Sequence, residues 1–176
     1  MADINLFLKT YNNYLSTFKD TSYDSENDEY LCMDTDNKVI DYDRIIAEKY
    51  PDSNQRPKSF DAIYIQDENI YLIEFKNEKK PNKKEITDKL VQGKKELDNL
   101  LYALNIQKKK YSYIFCLVYN PYKPKHERFK EGLFRSASYE FLRQYIKQGL
   151  VDDIYTENVN FFTKAFKNKL EKELAC

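Results

Sequence analysis

The chain has 176 residues, 41% hydrophobic and 33% charged, which suits one globular domain with a substantial core. The net charge is zero, but residues 1–74 carry −9 and residues 75–176 carry +9. Nucleic-acid binding would therefore need a local basic surface, and an ordinary solvated surface explains the imbalance equally well.

Cys32, Cys116 and Cys176 lack metal-ligand spacing, which predicts three reduced thiols. Without a signal peptide or a bilayer-length apolar run, we expect a cytoplasmic protein.

The first part of the chain predicts two helices separated by polar segments. Apolar residues recur with helical spacing over 4–18, which predicts a first helix with one buried face. Residues 20–29 are acidic and rich in Ser and Asn, which predicts a loop. Residues 39–50 predict a short second helix that Pro51 ends.

Residues 59–77 predict a β-hairpin around which the domain is organised. Asp61 begins a run rich in Ile and Tyr, and a second β-rich run follows the polar break Gln66–Asn69. Because side chains alternate along a strand, Glu74 and Lys76 are expected on one face of the second strand. Two adjacent charges on one face of a buried strand indicate a functional site.

The hairpin is followed by a predicted crossover to a parallel strand. Residues 83–104 predict a long helix, and Gly93 lies on its apolar stripe, where a small residue allows close packing. Residues 111–119 predict a strand that is apolar on both faces in its second half. A strand, a helix and a second strand in this order predict parallel pairing of the two strands.

The rest of the chain predicts a basic loop over 120–135 and helices over 139–147 and 158–174. Together the elements predict an α/β fold with a mixed central sheet flanked by α-helices. We expect a single domain over residues 1–176, with a core at about 39–119 and C-terminal helices over 138–175.

Asp61, Glu74 and Lys76 form the pattern D-x12-E-x-K on adjacent predicted strands, followed by a helix. This pattern resembles the PD-(D/E)xK superfamily, the fold of many restriction endonucleases and repair nucleases. The order helix, hairpin, helix, strand over about 39–119 resembles the common core of that superfamily. Phe60 stands where the family motif has proline.

The resemblance implies a metal-dependent phosphodiesterase that acts on DNA. Asp61 and Glu74 would bind Mg²⁺ or Mn²⁺ with the backbone carbonyl of Phe75, because these cations prefer oxygen ligands. Lys76 would hold or help deprotonate the attacking water and offset charge on phosphorus. Some families add an acidic residue from the preceding helix. Glu48 matches that role, with a solvated helix carboxylate as the alternative.

Basic side chains near the motif are the candidates for phosphate binding. They are Lys79, Lys80, Lys89, Lys123, Lys125 and Arg128, and the segment Lys108–Lys110 would extend the same rim. We expect DNA as the partner, no membrane, and either a homodimer or a place in a larger complex. Three alternatives stay open: a non-catalytic binding or assembly subunit with the same fold, an RNA-cleaving nuclease, and a surface hairpin with an ordinary Glu–Lys pair.

Overall fold

The computed structural model of the chain describes residues 2–77, 82–120, 128–159, 162–164 and 176. The strands are β1 Leu15–Thr17, β2 Tyr23–Asp24, β3 Glu29–Tyr30, β4 Lys38–Asp41, β5 Ala62–Gln66, β6 Asn69–Lys76, β7 Ser112–Tyr119 and β8 Asp153–Asn158. The α-helices are α1 Ala2–Thr10, α2 Phe18–Thr21, α3 Tyr42–Lys49, α4 Lys83–Ala103 and α5 Arg128–Lys147. Short 3₁₀ helices span Asn12–Tyr14 and Lys108–Lys110.

Six of these strands form one mixed sheet in the order β1-β4-β5-β6-β7-β8, while β2 and β3 form a separate hairpin. Strands β1, β4, β5 and β6 pair antiparallel, whereas β7 is parallel to both β6 and β8. The predicted α/β fold, a mixed sheet flanked by helices, is therefore confirmed. The predicted hairpin and the parallel pairing across α4 are confirmed as well.

Local sequence explains the turn of the β5–β6 hairpin and the start of α4. The turn is reduced to Asp67 and Glu68, and Asp67 adopts a positive φ of 54°, which an aspartate tolerates. Helix α4 begins where the Asn82 side chain accepts hydrogen bonds from the amides of Lys84 and Glu85.

The sheet is covered on both faces by apolar residues. One face packs against buried residues of α1, α3, α4 and α5, such as Phe7, Ile46 and Leu97. The other face packs against Phe18, Cys32 and Phe162. The alternation along β6 follows from this arrangement, since Leu72 belongs to the first core and Ile73 to the second.

The predicted first helix over 4–18 is wrong beyond Thr10. The chain continues through a 3₁₀ turn into β1, and Phe18 packs on the opposite face of the sheet from Ile4. A single helical face cannot reach both cores. The apparent helical periodicity over 4–18 therefore combines residues that pack on opposite faces of the sheet.

Two other predicted segments contain strands in place of loop or helix. Residues 20–29 include the end of α2 and the β2–β3 hairpin, so the predicted loop is wrong there. The predicted helix over 39–50 begins as β4, where Val39 and Ile40 pair with β1. Asp41 caps α3 by accepting from the amide of Arg44, which explains the abrupt change of structure.

The C-terminal part contains a strand that the sequence reading missed. Strand β8 alternates half-buried and buried residues, a pattern carried by only six residues, and it pairs parallel to β7. Helix α5 begins at Arg128, so the predicted basic loop over 120–135 is wrong from that residue onward. Most of the predicted helix over 158–174 lies outside the described residues.

The structure joins Cys32 to Cys176 in a disulfide, and Cys116 is a buried free thiol. The prediction of reduced thiols is therefore wrong for Cys32 and Cys176. A sequence separation of 144 residues hides such a pair, because only the fold brings the two side chains together. Among the described helices, none combines the length and apolarity needed to cross a membrane.

Candidate active site at the end of the central hairpin

Asp61 lies just before β5 and is fixed by main-chain contacts on two sides. Its amide donates to the carbonyl of Ile73 at 3.0 Å, and its carbonyl accepts from the amide of Tyr42 at 3.1 Å. Its carboxylate Oδ2 accepts from the amide of Phe75 at 2.6 Å. The carboxylate is therefore held against the end of β6, on the hairpin strand that carries the other motif residues.

Phe60, the residue in place of the family proline, supports this position of Asp61 from the core. Its side chain is fully buried and stacks on Tyr42 with ring centroids 4.5 Å apart. It also packs against Gly93 of α4, where an added Cβ would lie 2.8 Å from the ring. The absence of a side chain at Gly93 lets α4 approach β5 closely beside Asp61, as the sequence predicted for this glycine.

Glu74 and Lys76 project from β6 toward α4, on the face shared with Leu72. Glu74 is 0% exposed, and its Oε1 lies 3.2 Å from the Lys76 ammonium. Its other oxygen, Oε2, is buried and accepts no hydrogen bond from the described residues. Such an atom is costly to bury, and a bound water or ion is one explanation for it.

Helix α4 contributes two charged residues to the cluster. The Lys89 ammonium lies 2.7 Å from Glu74 Oε1 and 3.3 Å from Asp61 Oδ1, so it bridges the two carboxylates. Glu85, one turn earlier, lies 2.6 Å from the Lys76 ammonium. The result is an alternating chain of negative and positive side chains across the β6–α4 contact.

Burial raises the pKa of both central carboxylates. It raises the pKa of Glu74 to about 8, with the charge of Asp61 adding to the effect and Lys89 and Lys76 opposing it. Burial also raises the pKa of Asp61, against the lowering effect of Lys89 and the Phe75 amide. A carboxyl that titrates near neutral pH holds or releases a proton according to the cation beside it.

The two lysines remain charged despite their burial. Burial disfavours the ammonium of Lys89, but Asp61 and Glu74 outweigh it and raise the pKa of Lys89. The same competition raises the pKa of Lys76, with Glu74 as the main opposing charge. The hydrogen bond from Lys76 in turn lowers the pKa of Glu85.

The two remaining metal-ligand candidates lie in different positions. The backbone of Phe75 turns its N–H toward Asp61, and a residue in an extended strand directs its C=O to the same side. The Phe75 carbonyl therefore faces the side of β6 where Asp61 lies. Glu48 is not brought to the cluster: its 52%-exposed carboxylate pairs with Arg44 at 3.1 Å and accepts from the Tyr14 hydroxyl at 2.8 Å.

Most of the predicted phosphate-binding residues lie outside the part of the chain that the structure describes. Lys79, Lys80, Lys123 and Lys125 lie outside the described residues, and Arg128 is the first residue of α5. Lys89 faces the two carboxylates, as described above. The segment Lys108–Lys110 precedes β7, while the register places Lys76 beside Tyr119 at the far end of that strand. The strand length separates these basic residues from the cluster by about 23 Å.

A cleft of about 340 Å³ opens beside the cluster. Asp61, Phe75, Lys76 and Glu85 line one wall. The other wall is lined by residues 21–27, which include β2, and by Leu31, which follows β3. The cluster is therefore reached from solvent through this cleft.

The sequence analysis missed two polar residues of the site, Glu85 and Asp43, and predicted Lys89 only as a phosphate-binding residue. Glu85 and Lys89 are four residues apart on the flank of the α4 stripe, a spacing that signals a shared face. Burial is the main cause of the raised pKa of Asp61, and the nearby charge of Asp43 on α3 raises it further. The Asp43 carboxylate also accepts a hydrogen bond from the Ser59 hydroxyl. No local pattern distinguishes Asp43 from Glu48.

Comparisons with known protein families, with curated proteins and with solved structures found no match to this chain. Within the described residues, no group of three or more His, Cys, Asp or Glu side chains gathers as a metal site. The site is therefore interpreted from its own chemistry.

Proposed function

We propose that this chain is a metal-dependent nuclease that hydrolyses DNA, with a restriction-endonuclease-like core. The observation that carries the proposal is the convergence of Asp61, Glu74 and Lys76 at one end of the sheet, beside an open cleft. The antiparallel hairpin, the crossover helix α4 and the parallel strand β7 support the same resemblance.

The residues fit a divalent cation. The buried Oε2 of Glu74 lacks a hydrogen-bond partner among the described residues, and the Lys89 ammonium lies between the two carboxylates, where a metal ion would bind. Mg²⁺ is commonly bound by one or two carboxylates, with water and substrate phosphate completing its shell. Asp61, Glu74 and the Phe75 carbonyl would hold Mg²⁺ or Mn²⁺. The bound ion would supply Lewis acidity and a more acidic water.

The protein side chains perform the other parts of the reaction. Asp61 keeps its orientation through the Phe75 amide, so its other oxygen, Oδ1, stays directed into the site, where it accepts from Lys89. Lys76 is cationic and lines the cleft, where it would orient a nucleophilic water and neutralise charge that develops on phosphate. Glu85 restrains the Lys76 ammonium through the 2.6 Å contact.

The test is cleavage of plasmid DNA, linear DNA and single-stranded RNA in EDTA, Mg²⁺ or Mn²⁺. We expect metal-dependent DNA cleavage that falls at least about a hundredfold in Asp61→Asn, Glu74→Gln and Lys76→Met, since each removes a group from the chemical step. Lys84→Met is the matched control, because Lys84 is exposed and pairs only with Asp88 among the described contacts. Cleavage that persists in Glu74→Gln would refute the proposal, and cleavage of RNA alone would change its substrate.

A non-catalytic subunit is the second candidate, and one observation favours it. Lys89 already forms ion pairs with both Asp61 and Glu74, as in a structural ion cluster that needs no metal. Calorimetric titration with Mn²⁺ separates the two functions. A nuclease gives binding heat that Asp61→Asn abolishes, whereas a structural cluster gives none.

A further inference from the structure

The β2–β3 hairpin forms a second wall over the candidate active site. Asn77, directly after β6, donates to Glu29 at 3.1 Å and accepts from Asn120 at 2.7 Å. Hydrogen bonds between Ser22 and the backbone of Cys32 close the base of the hairpin. The hairpin is therefore attached to the strand that carries Glu74 and Lys76.

This wall is strongly acidic. Residues 21–31 contain no basic residue and four acidic ones, of which Asp24 and Glu26 line the cleft and Asp28 and Glu29 lie beside them in the sequence. Duplex DNA carries one charge per about 1.7 Å of axis, twice the linear density of a single strand. A duplex at the cleft would bring many phosphates within a Debye length, about 8 Å, of these four carboxylates.

The same wall presents an aromatic surface. Tyr23 lines the cleft and is 44% exposed, and its ring lies 4.8 Å from that of Tyr30, which is 43% exposed. The Lys19 ammonium lies 5.0 Å from the Tyr30 ring. Exposed aromatic rings beside a narrow polar cleft are the surfaces on which single-stranded bases stack.

We propose that the β2–β3 hairpin restricts this site to single-stranded DNA, with Tyr23 as the residue on which a base stacks. The inference rests on the proposed nuclease function and names its substrate class. A cleft of about 340 Å³ is at the lower end of small-molecule pockets, which run from about 300 to 1,000 Å³, so its size suits one splayed nucleotide, which a duplex presents only after unpairing. The acidic residues add specificity by repelling the denser charge of the duplex.

The test compares a fluorescent dT30 strand with the dT30·dA30 duplex in Mn²⁺, using the full chain. We expect the single strand to be cleaved at least about tenfold faster. Tyr23→Ala should reduce single-strand cleavage at least about fivefold, the lower end for loss of one stacked base. Tyr23→Phe keeps the ring and should stay within about twofold of wild type.

A binding assay separates stacking from catalysis. In the Lys76→Met background, adding Tyr23→Ala should weaken the affinity for dT30, measured by fluorescence anisotropy, at least about fivefold. Tyr102→Ala is the matched control, because Tyr102 is 84% exposed on α4 and does not line this cleft. The double variant Asp24→Asn/Glu26→Gln should increase duplex affinity at least about threefold, since it removes the two negative charges that line the cleft.

The outcomes distinguish this inference from the proposed function. Equal cleavage of strand and duplex, or no effect of Tyr23→Ala on either readout, overturns the inference and leaves the nuclease function standing. Absence of cleavage of either substrate, together with absence of Mn²⁺ binding, overturns the nuclease function and the inference with it.

Discussion

At the residue scale, the site is defined by a shortage of positive charge around buried carboxylates. Asp61 and Glu74 share one ammonium, that of Lys89, while Lys76 divides its contacts between Glu74 and Glu85. Two like charges this close disfavour joint ionisation unless cations stand beside them. A proton or a lysine can meet this need, and under the proposed function a divalent metal would compete with them for the same oxygens.

Replacing Lys89 by methionine should strengthen metal binding. The ammonium lies between Asp61 and Glu74, so a metal must displace it, and Met keeps much of the apolar stem without the charge. We expect the Kd for Mn²⁺, measured by calorimetry at pH 8, to fall at least about threefold. Lys84→Met should leave the Kd unchanged, and weaker binding in Lys89→Met would show that Lys89 organises the carboxylates without competing for them.

Glu74 should make the stability of the metal-free protein fall with rising pH. Its pKa rises from an ordinary 4.5 to about 8 in the folded state, so the folded chain holds a proton that the unfolded chain has released. The stabilisation that the protonated Glu74 contributes to the fold is complete below about pH 4.5 and is lost as pH rises through about 8.

Urea unfolding in EDTA at pH 6 and pH 8.5 measures this effect. The stability of Glu74→Gln relative to wild type should increase toward pH 8.5 by up to a few kcal/mol, at about 1.4 kcal/mol per pKa unit. Glu48→Gln is the matched control, because the Tyr14 and Arg44 contacts lower the pKa of Glu48 and leave it ionised at both pH values. A pH-independent difference for Glu74→Gln would mean that Glu74 is already ionised at pH 6.

At the element scale, the contact between α4 and the start of β5 positions the site. The Tyr42 hydroxyl donates to the carbonyl of Gly93 at 2.8 Å, and Phe60 fills the space above that glycine. Lys89 lies one turn before Gly93, and Asp61 directly follows Phe60. The spacing of the two elements therefore sets the distance between the Lys89 ammonium and the Asp61 carboxylate.

Gly93→Ala should destabilise the fold although alanine favours helices. The new Cβ would lie 2.8 Å from Phe60, and that ring cannot move away because it is buried and stacked on Tyr42. Overpacking typically costs about 1–3 kcal/mol and the helix propensity gain is about 1 kcal/mol, so a net loss of up to about 2 kcal/mol is expected. Urea unfolding measures the change.

Gly132→Ala in α5 is the same substitution in open space, since nothing lies within 4 Å of its added Cβ. It should stabilise the chain by up to about 1 kcal/mol. If both variants gained stability equally, the close approach of α4 to Phe60 would not exist. Phe60→Leu should partly restore the stability of Gly93→Ala, because the smaller side chain leaves room for the methyl group.

The accuracy of sequence prediction in this chain depends on how local the determining interactions are. The hairpin and α4 carry their own periodicity, turn residues and cap, so they were predicted within a few residues. Strands β1, β4 and β8 have three, four and six residues and exist through pairing with distant strands. The bridging position of Lys89 depends on how α4 packs across β6, which no spacing along the chain specifies.

At the scale of the whole molecule, the two faces of the sheet are covered in different ways. Four helices pack on one face, whereas the other face receives α2, the segment around Cys32 and residues from the C-terminal region. This second layer also carries the β2–β3 hairpin through the contacts of Ser22 with Cys32. Any cross-link in that layer therefore supports the acidic wall of the cleft.

The Cys32–Cys176 disulfide should account for a measurable part of the stability. It closes a loop with a sequence separation of 144 residues, and long loops lose the most chain entropy in the unfolded state. Cys176→Ser should lower the free energy of unfolding by about 2–5 kcal/mol in protein purified without reductant. Reductant should lower the stability of wild type to a similar extent and leave Cys176→Ser unchanged, which provides the internal control. Alkylation under denaturing conditions should label only Cys116 before reduction, and labelling of all three cysteines would restore the original prediction of reduced thiols.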